Sequence, residues 1–417
     1  MHRVKATVVL LAGGKGSRSA NPAIPKILQT LDDSKTLLHH WLELLENQGF
    51  EKAILIGGHG IDLVMRAIEG IRTKIKVELI EDVHLAGTLS ALRLVHTNDP
   101  SYLVLTGDTY STLNYARYHE RWEELRTDSA LLVHKNNHLV DSDSVSFEEG
   151  YDSPRIRVKG SSVPRGTESW ALTGAAFFSK EALTKLQSLT NLTEIFAGVR
   201  ELNSKMSMSV ITVAGASMDS GTAERLSRVR ESYRYSKRCD GKRLAVFLDR
   251  DETLIPDLPR GRKRLHASGI KKDDAKMIGR LNYLGIPVFV VTNQPAVAKG
   301  WISKSQVMRV HLRLQEILSL SSSWIDGFGT CFHHPDRGFT GEILELKVKC
   351  DCRKPMPGLG QSLIALHGLD DATLFVVGDS AADQGFASAL GAEFLSAKYG
   401  TSQGVARAIE RILEWRS

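Results

Sequence analysis

Short apolar runs rich in β-formers, each followed by a longer stretch with helical spacing, recur along this 417-residue chain in two separate series. Strand followed by helix is the pattern of a parallel sheet covered by helices, so the fold class expected is α/β throughout. In the first series strands are expected at 7–11, 53–56, 77–80, 102–105, 131–134 and 209–213, and in the second at 244–248, 288–291 and 373–377. Leu37-Leu38, Trp41-Leu42 and Leu44-Leu45 recur at helical spacing and mark a helix with one buried face. Between the series, residues 224–242 are polar and basic and read as a last helix running into a tether. Two domains follow, 1–235 and 236–417. The halves share no repeat, and each opens with its own strand and functional loop, which points to a fusion rather than a duplication.

The formal net charge is +6, and residues 224–243 hold eight Lys/Arg against three Asp/Glu, a local +5. The remainder is nearly neutral, so no nucleic-acid surface is expected, and the basic stretch reads as a solvated helix. No apolar run reaches the 18 or so residues that a membrane span requires. Two basic residues before the apolar run up to Ala12 imitate a secretory leader. The run is short and opens into Gly13-Gly14-Lys15-Gly16, a phosphate-binding loop, so a cytoplasmic protein is expected.

In the first half, Leu10-Leu11-Ala12-Gly13-Gly14-Lys15-Gly16-Ser17-Arg18 follows a strand directly. Its glycines let backbone N–H groups approach a polyanion, and Arg18 neutralises phosphate charge. The spacing is neither the dinucleotide fingerprint nor a Walker A loop. Four further features follow in order: Pro25-Lys26, Gly87-Thr88 opening a helix, Gly107-Asp108 at a strand end, and Asp219-Ser220-Gly221-Thr222. As an ordered set these resemble the sugar-1-phosphate nucleotidyltransferases over about residues 4–228, which implies a Rossmann-like nucleotidyltransferase domain. The resemblance implies a nucleotide site made of Leu11, Ala12, Gly13, Gly14, Gly16, Arg18, Gly87, Thr88 and Asp108, with Lys26 at the α-phosphate and Mg²⁺ on Asp108 and Asp219. In-line attack of a sugar phosphate on an α-phosphate needs alignment and charge neutralisation more than proton transfer. The segment between Arg18 and Pro25 is shorter than the family pattern, and of the family's Glu-Lys pair for the sugar phosphate only Lys159 is present. His59 is assigned no role.

In the second half, the run 244–248 ends in Asp249-Arg250-Asp251-Glu252-Thr253. Two carboxylates at i and i+2 leaving a strand can divide the work of nucleophile and general acid/base, provided a cation lowers their repulsion. Thr292-Asn293-Gln294, then Lys354 in Cys352-Arg353-Lys354-Pro355, then Gly378-Asp379-Ser380 with Asp383 complete an ordered set. This set resembles the haloacid-dehalogenase phosphatases, implying a Rossmannoid phosphatase domain. Carried over, Asp249 attacks phosphorus, and Asp251 protonates the leaving oxygen and later activates water. Thr292, Asn293, Gln294 and Arg353 bind phosphate, while Lys354 stabilises its charge. Mg²⁺ is held by Asp249, Asp379 and the carbonyl of Asp251, with Asp383 behind them.

Cys331, His333, Cys350 and Cys352 supply three thiolates and an imidazole, the inventory of a closed structural zinc site. His334 is adjacent, and spacing alone leaves the choice between the two imidazoles open. A zinc loop before Cys-Arg-Lys-Pro, with Thr-Asn-Gln-Pro and Ala298-Lys299-Gly300, resembles the D-glycero-D-manno-heptose-1,7-bisphosphate 7-phosphatases and the related histidinol-phosphate phosphatases over about residues 243–415. The alignment favours His333. Glu252 stands where that family has Gly.

The heptose reaction yields a sugar 1-phosphate, the acceptor class the first half should use. The resemblances together imply a bifunctional enzyme that removes the 7-phosphate of heptose 1,7-bisphosphate and transfers a nucleotidyl group, GMP from GTP, to heptose 1-phosphate. Its product would be an activated heptose for lipopolysaccharide, capsule or surface-layer glycan. The alternative is a heptose-bisphosphate or histidinol-phosphate phosphatase with an inactive, regulatory nucleotide-binding domain. The oligomeric state, a homo-oligomer included, is open.

Overall fold

The computed structural model describes residues 3–14, 23–96, 98–135, 144–146, 155–157, 169–256 and 269–415. The chain divides into two compact units, with the division between Arg234 and Tyr235.

The first unit is built on a nine-stranded sheet of β1 (Ala6–Leu11), β2 (Lys52–Gly57), β3 (Lys76–Glu81), β4 (Ser101–Thr106), β6 (Ser129–His134), β7 (Ser144–Ser146), β8 (Arg155–Arg157), β9 (Ser169–Ser179) and β10 (Met208–Thr212). Its main path runs β10-β6-β9-β4-β1-β2-β3. Every residue of β1 is buried, as a central strand covered on both faces requires. The expectation of a purely parallel sheet is corrected at β9, which runs antiparallel to both β4 and β6. A separate antiparallel pair joins β5 (Thr109–Ser111) to β11 (Ser217–Asp219). The helix Leu37–Asn47 buries Leu37, Leu38, Trp41, Leu42 and Leu45 against this core, while Leu44 is only partly buried beside it.

The second unit carries a five-stranded parallel sheet: β12 (Leu244–Leu248), β13 (Val288–Asn293), β14 (Gly327–Cys331), β15 (Thr373–Gly378) and β16 (Glu393–Ser396). The order is β14-β13-β12-β15-β16. All five residues of β12 are buried. The helix 223–238 begins in the first core through Val229 and Tyr233 and ends beside the second core through Tyr235.

Both sheets wind outward in two directions from one strand, β1 in the first and β12 in the second. The chain therefore reverses between β1 and β4, and again between β12 and β15. In such sheets the loops at the carboxyl ends of those strands diverge and leave a crevice for a ligand. Among the described residues no helix is long and apolar enough to cross a membrane.

Candidate active sites and metal centre

In the first unit a cleft of about 210 Å³ opens where the sheet predicts it. Leu11, Ala12, Gly13 and Gly14 line it from the end of β1, Thr106 and Asp108 from the end of β4, and Lys26 from a short 3₁₀ turn. Gly87 and Thr88 close another side. Gly16 and Arg18, and Lys159, lie outside the described residues. Gly87 has φ +127° and lies so close to Thr193 that a Cβ would stand 2.6 Å from its carbonyl oxygen, so glycine is required there. Thr88 Oγ1 donates to Glu194 Oε2 at 2.9 Å and accepts from the Ile195 amide at 2.9 Å, tying that loop to the rim.

Lys26 Nζ donates to Asp108 Oδ2 at 2.7 Å. Asp219 lies across the β5/β11 ladder, opposite Thr109, and its carboxylate is held by Arg225 and by the Gly221 amide at 2.6 Å. Asp108 thus lies in the turn that leads into β5 and Asp219 on the paired strand β11, each engaged by a cation of the chain. Two carboxylates of this kind fit Mg²⁺, which is held by one or two protein carboxylates and completes its shell with substrate phosphates and water. Asp82, 5% exposed, and Leu85 line the same cleft and were not read from the sequence. Asp82 Oδ1 accepts from the amides of His84 and Leu85 at 3.2 and 3.1 Å.

The second site is assembled at the carboxyl ends of β12, β13 and β15. Lys354 is its centre: Nζ donates to Asp249 Oδ1 at 2.5 Å, to Asp383 Oδ1 at 2.6 Å and to the Val291 carbonyl at 2.7 Å. Burial alone would lower the Lys354 pKa, but the Asp249 and Asp383 carboxylates outweigh it and hold the ammonium above its ordinary value. Burial pushes Asp249 up to about 6 against the pull of Lys354. Asp383 is placed by a reciprocal cap, in which Ser380 Oγ receives the Asp383 amide and Asp383 Oδ2 accepts from the Ser380 amide at 3.1 Å. That cap starts the helix Ala381–Leu390 and leaves the other carboxylate oxygen for Lys354. Asp249, Asp379 and Asp383 present oxygens within 4.8 Å of one another, a donor set suited to a hard divalent cation.

Asp251 faces β13. Its Oδ2 accepts from Gln294 Nε2 at 2.6 Å, and Thr292 Oγ1 stands at 3.4 Å. Asn293 turns its amide to the main chain of Lys354, donating to the carbonyl and accepting from the N–H, both at 3.0 Å. The side chain expected on phosphate is therefore occupied in holding the lysine loop. Arg353 reaches toward the His333 carbonyl at 3.5 Å.

Glu252 has φ +60°, in the left-handed region. The backbone turns left immediately after Asp251, a conformation that favours glycine, the residue the resemblance leads one to expect there. The Glu252 carbonyl accepts from the Tyr399 amide at 2.6 Å, which fixes that turn.

Beyond β14, Cys331, His333, Cys350 and Cys352 gather four ligand atoms within 4.8 Å. Cys352 Sγ lies 3.3 Å from Cys331 Sγ, 3.2 Å from Cys350 Sγ and 3.1 Å from His333 Nδ1. A tetrahedral zinc ion with Zn–S of about 2.3 Å has ligand edges of about 3.8 Å, close to this spacing. The sulfurs are too far apart for disulfides. Burial and the neighbouring sulfurs push the Cys352 thiol up, so this packing favours a bound cation that offsets the thiolate charges. His334 stays outside the cluster, edge-on to Phe339.

Residues 8–205 match the model of the MobA-like NTP transferase domain. A curated relative, the D-glycero-beta-D-manno-heptose-1,7-bisphosphate 7-phosphatase of Rhodopseudomonas palustris, is 37% identical over 153 residues, covering 36% of this chain and 81% of the relative. The C-terminal part belongs to that phosphatase family. The enzyme of the same name from Pseudomonas aeruginosa is 30% identical over 141 residues, 34% of this chain and 73% of the relative. The crystal structure of HddC from Yersinia pseudotuberculosis is similar at 22% identity and a TM-score of 0.46, over 55% of this chain and 99% of that one. The chain thus joins a nucleotidyltransferase domain to a phosphatase of the haloacid-dehalogenase type.

Proposed function

We propose that the phosphatase half removes the 7-phosphate of D-glycero-D-manno-heptose 1,7-bisphosphate and that the other half transfers GMP from GTP to the resulting heptose 1-phosphate. The observation that carries the first step is Lys354 buried between Asp249 and Asp383 at the switch point of a sheet whose family relatives bear the heptose-bisphosphate name. Asp249 attacks phosphorus and the bond to the leaving oxygen breaks, giving an aspartyl phosphate. Asp251 delivers the proton that the leaving sugar oxygen needs, then takes one from the water that hydrolyses the aspartyl phosphate. Lys354 faces the phosphoryl charge, and Thr292 lies on the side where the phosphoryl oxygens are held. Mg²⁺ on Asp249 and Asp379 would supply charge screening for the approach of one anion to another. Cys331, His333, Cys350 and Cys352 would hold zinc, which would tie down the loop that carries Arg353 and Lys354 in a structural role.

The transferase reading rests on the cleft at the ends of β1 and β4, which gathers Gly13, Gly14, Gly87, Thr88, Lys26 and Asp108. Lys26 and Asp108 already form a pair there, so a triphosphate with Mg²⁺ would exchange partners within an existing charge pattern. Guanine as the base follows the resemblance of the first half's motifs, and the acceptor follows from the heptose 1-phosphate that the other half would supply. A nucleotide-activated heptose made in the cytoplasm for lipopolysaccharide or another surface glycan is the product this reading implies.

The test is incubation with heptose 1,7-bisphosphate, Mg²⁺ and each NTP in turn, reading phosphate, pyrophosphate and sugar nucleotide by mass. Asp249→Asn should abolish phosphate release and leave pyrophosphate formation from supplied heptose 1-phosphate intact, and Asp108→Ala should do the reverse. Phosphate without pyrophosphate under every NTP would leave a phosphatase with a regulatory nucleotide-binding domain.

A further inference from the structure

Arg250 separates Asp249 from Asp251, and the chemistry above gives it nothing to do. Its side chain is 2% exposed. A guanidinium stays charged in proteins and can only donate, so burial obliges it to find acceptors. Asp251 provides two: Nε donates to Oδ1 at 3.1 Å and Nη2 to Oδ2 at 3.0 Å. On its other side Nη1 lies 3.3 Å from Nε2 of His311, on the helix Lys304–Ser319.

That last contact fixes the state of the histidine. Because Arg250 only donates, Nε2 must be bare and accept, which places the ring proton on Nδ1. Nδ1 is buried with no hydrogen-bond partner. The ring stacks on Phe328, with centroids 4.3 Å apart at 11°. Burial, then the Arg250 charge, pushes its pKa down to about 3, so the imidazole is neutral at physiological pH. A histidine that leaves one N–H unsatisfied while presenting its other nitrogen to an arginine is a poor choice for stability alone.

The guanidinium takes one lone pair on each oxygen of Asp251, and Gln294 takes the second on Oδ2, so Oδ1 is the oxygen that keeps a lone pair for a proton. Rotation of the carboxyl would break both bonds of the fork. We propose that Arg250, braced from behind by neutral His311, is a positioning residue that sets the Asp251 carboxyl at the angle from which it hands its proton to the leaving oxygen. This rests on the reading of Asp251 as the general acid.

The experiment compares two leaving groups in the full-length protein. A sugar alkoxide needs a proton as it departs and p-nitrophenolate does not, so the formation of phosphoenzyme is followed by quenched flow with heptose 1,7-bisphosphate and with p-nitrophenyl phosphate. Loss of general-acid catalysis should cost Asp251→Asn about 100-fold or more with the sugar substrate and less than about 5-fold in the nitrophenolate burst. Arg250→Met should show the same split, His311→Phe a weaker one of about 10-fold, and His311→Gln, which restores an acceptor, should recover most of the loss. Where Arg250→Met fails to fold, Arg250→Lys carries the comparison, since it keeps the charge and loses the fork. If Asp251→Asn shows no split, the general-acid reading fails. If Asp251→Asn splits while the Arg250 and His311 variants lose both substrates equally or neither, the positioning role is overturned and the acid reading stands.

Discussion

Replacing Lys354 by Met tests the centre of the phosphatase site. The ammonium lies 2.5 Å from Asp249, 2.6 Å from Asp383 and 2.7 Å from the Val291 carbonyl, with its side chain 4% exposed. Methionine fills nearly the same length and removes only the charge and the three donors. Two buried carboxylates are then left facing each other without their common counter-ion, and the phosphoryl group loses the cation that meets its charge. Removing one partner of a buried ion pair costs about 3–5 kcal/mol. Taken at the transition state, that is a fall of about 10²- to 10⁴-fold in kcat/KM for phosphate release. The assay follows phosphate from heptose 1,7-bisphosphate, with pyrophosphate from GTP and supplied heptose 1-phosphate in the same preparation as the internal control. Pyrophosphate formation should be unchanged, because Lys26 and Asp108 lie in the other unit. Phosphate release within about 3-fold of the parent protein would refute the assignment of Lys354, because a cation contributing at least 3 kcal/mol cannot be removed so cheaply.

Three further expectations concern stability. Cys350→Ser should reduce bound zinc, measured by elemental analysis, and lower the unfolding midpoint of the phosphatase unit while leaving pyrophosphate formation intact, because zinc affinity is folding free energy; full zinc occupancy in the variant would remove Cys350 from the cluster. Glu252→Gly should stabilise that unit by about 0.5–1 kcal/mol, the left-handed cost relieved less the entropy glycine adds, and a drop in the midpoint would contradict the strain at φ +60°. His367 is 2% exposed, stacked on Phe289, and burial pushes its pKa down to about 4. The unfolded chain therefore binds a proton there below pH 6.5 that the folded chain refuses, so stability is full above 6.5 and falls by about 3 kcal/mol as pH drops toward 4. His367→Phe should flatten this slope in urea titrations at pH 7 and pH 5, and an unchanged slope would place the acid sensitivity elsewhere.

What was legible in the sequence is what depends on local pattern. An unbroken apolar run such as Leu244–Leu248 fits only a strand covered on both faces, and the carboxylates that follow must emerge at its end. Cys331, His333, Cys350 and Cys352 were legible because metal ligands come in close pairs. Edge strands were not: Gly327–Cys331 and Glu393–Ser396 are short, and glycine or exposed polar residues interrupt their pattern. The antiparallel β9 was missed because Gly174 interrupts its apolar run and its residues do not alternate cleanly, and nothing in such a run says which way its neighbours point. Asp82 follows a strand like many surface aspartates, and only the pairing of Gly57 with Glu81 brings it to the cleft. Arg250 was hidden by the two carboxylates it separates, since a scan for acids at i and i+2 treats the residue between them as a spacer.

The two sites use a lysine and a carboxylate differently, and burial decides how. Lys26 and Asp108 meet at 2.7 Å with side chains 20% and 32% exposed, so water screens the pair and its contribution to folding is about 1 kcal/mol or less. Both groups can change partner when a triphosphate and its metal arrive. Lys354 and Asp383 are 4% and 1% exposed, and their charges have no solvent to fall back on. A lysine at an open cleft can be lost at the expense of its site alone, whereas a lysine that neutralises two buried acids is part of the fold as well as of the chemistry. Lys26→Ala should therefore lower kcat/KM for nucleotide transfer and leave the unfolding midpoint of the first unit in place. A Lys26 variant that unfolds as readily as Lys354→Met would mean that exposure does not separate the two roles.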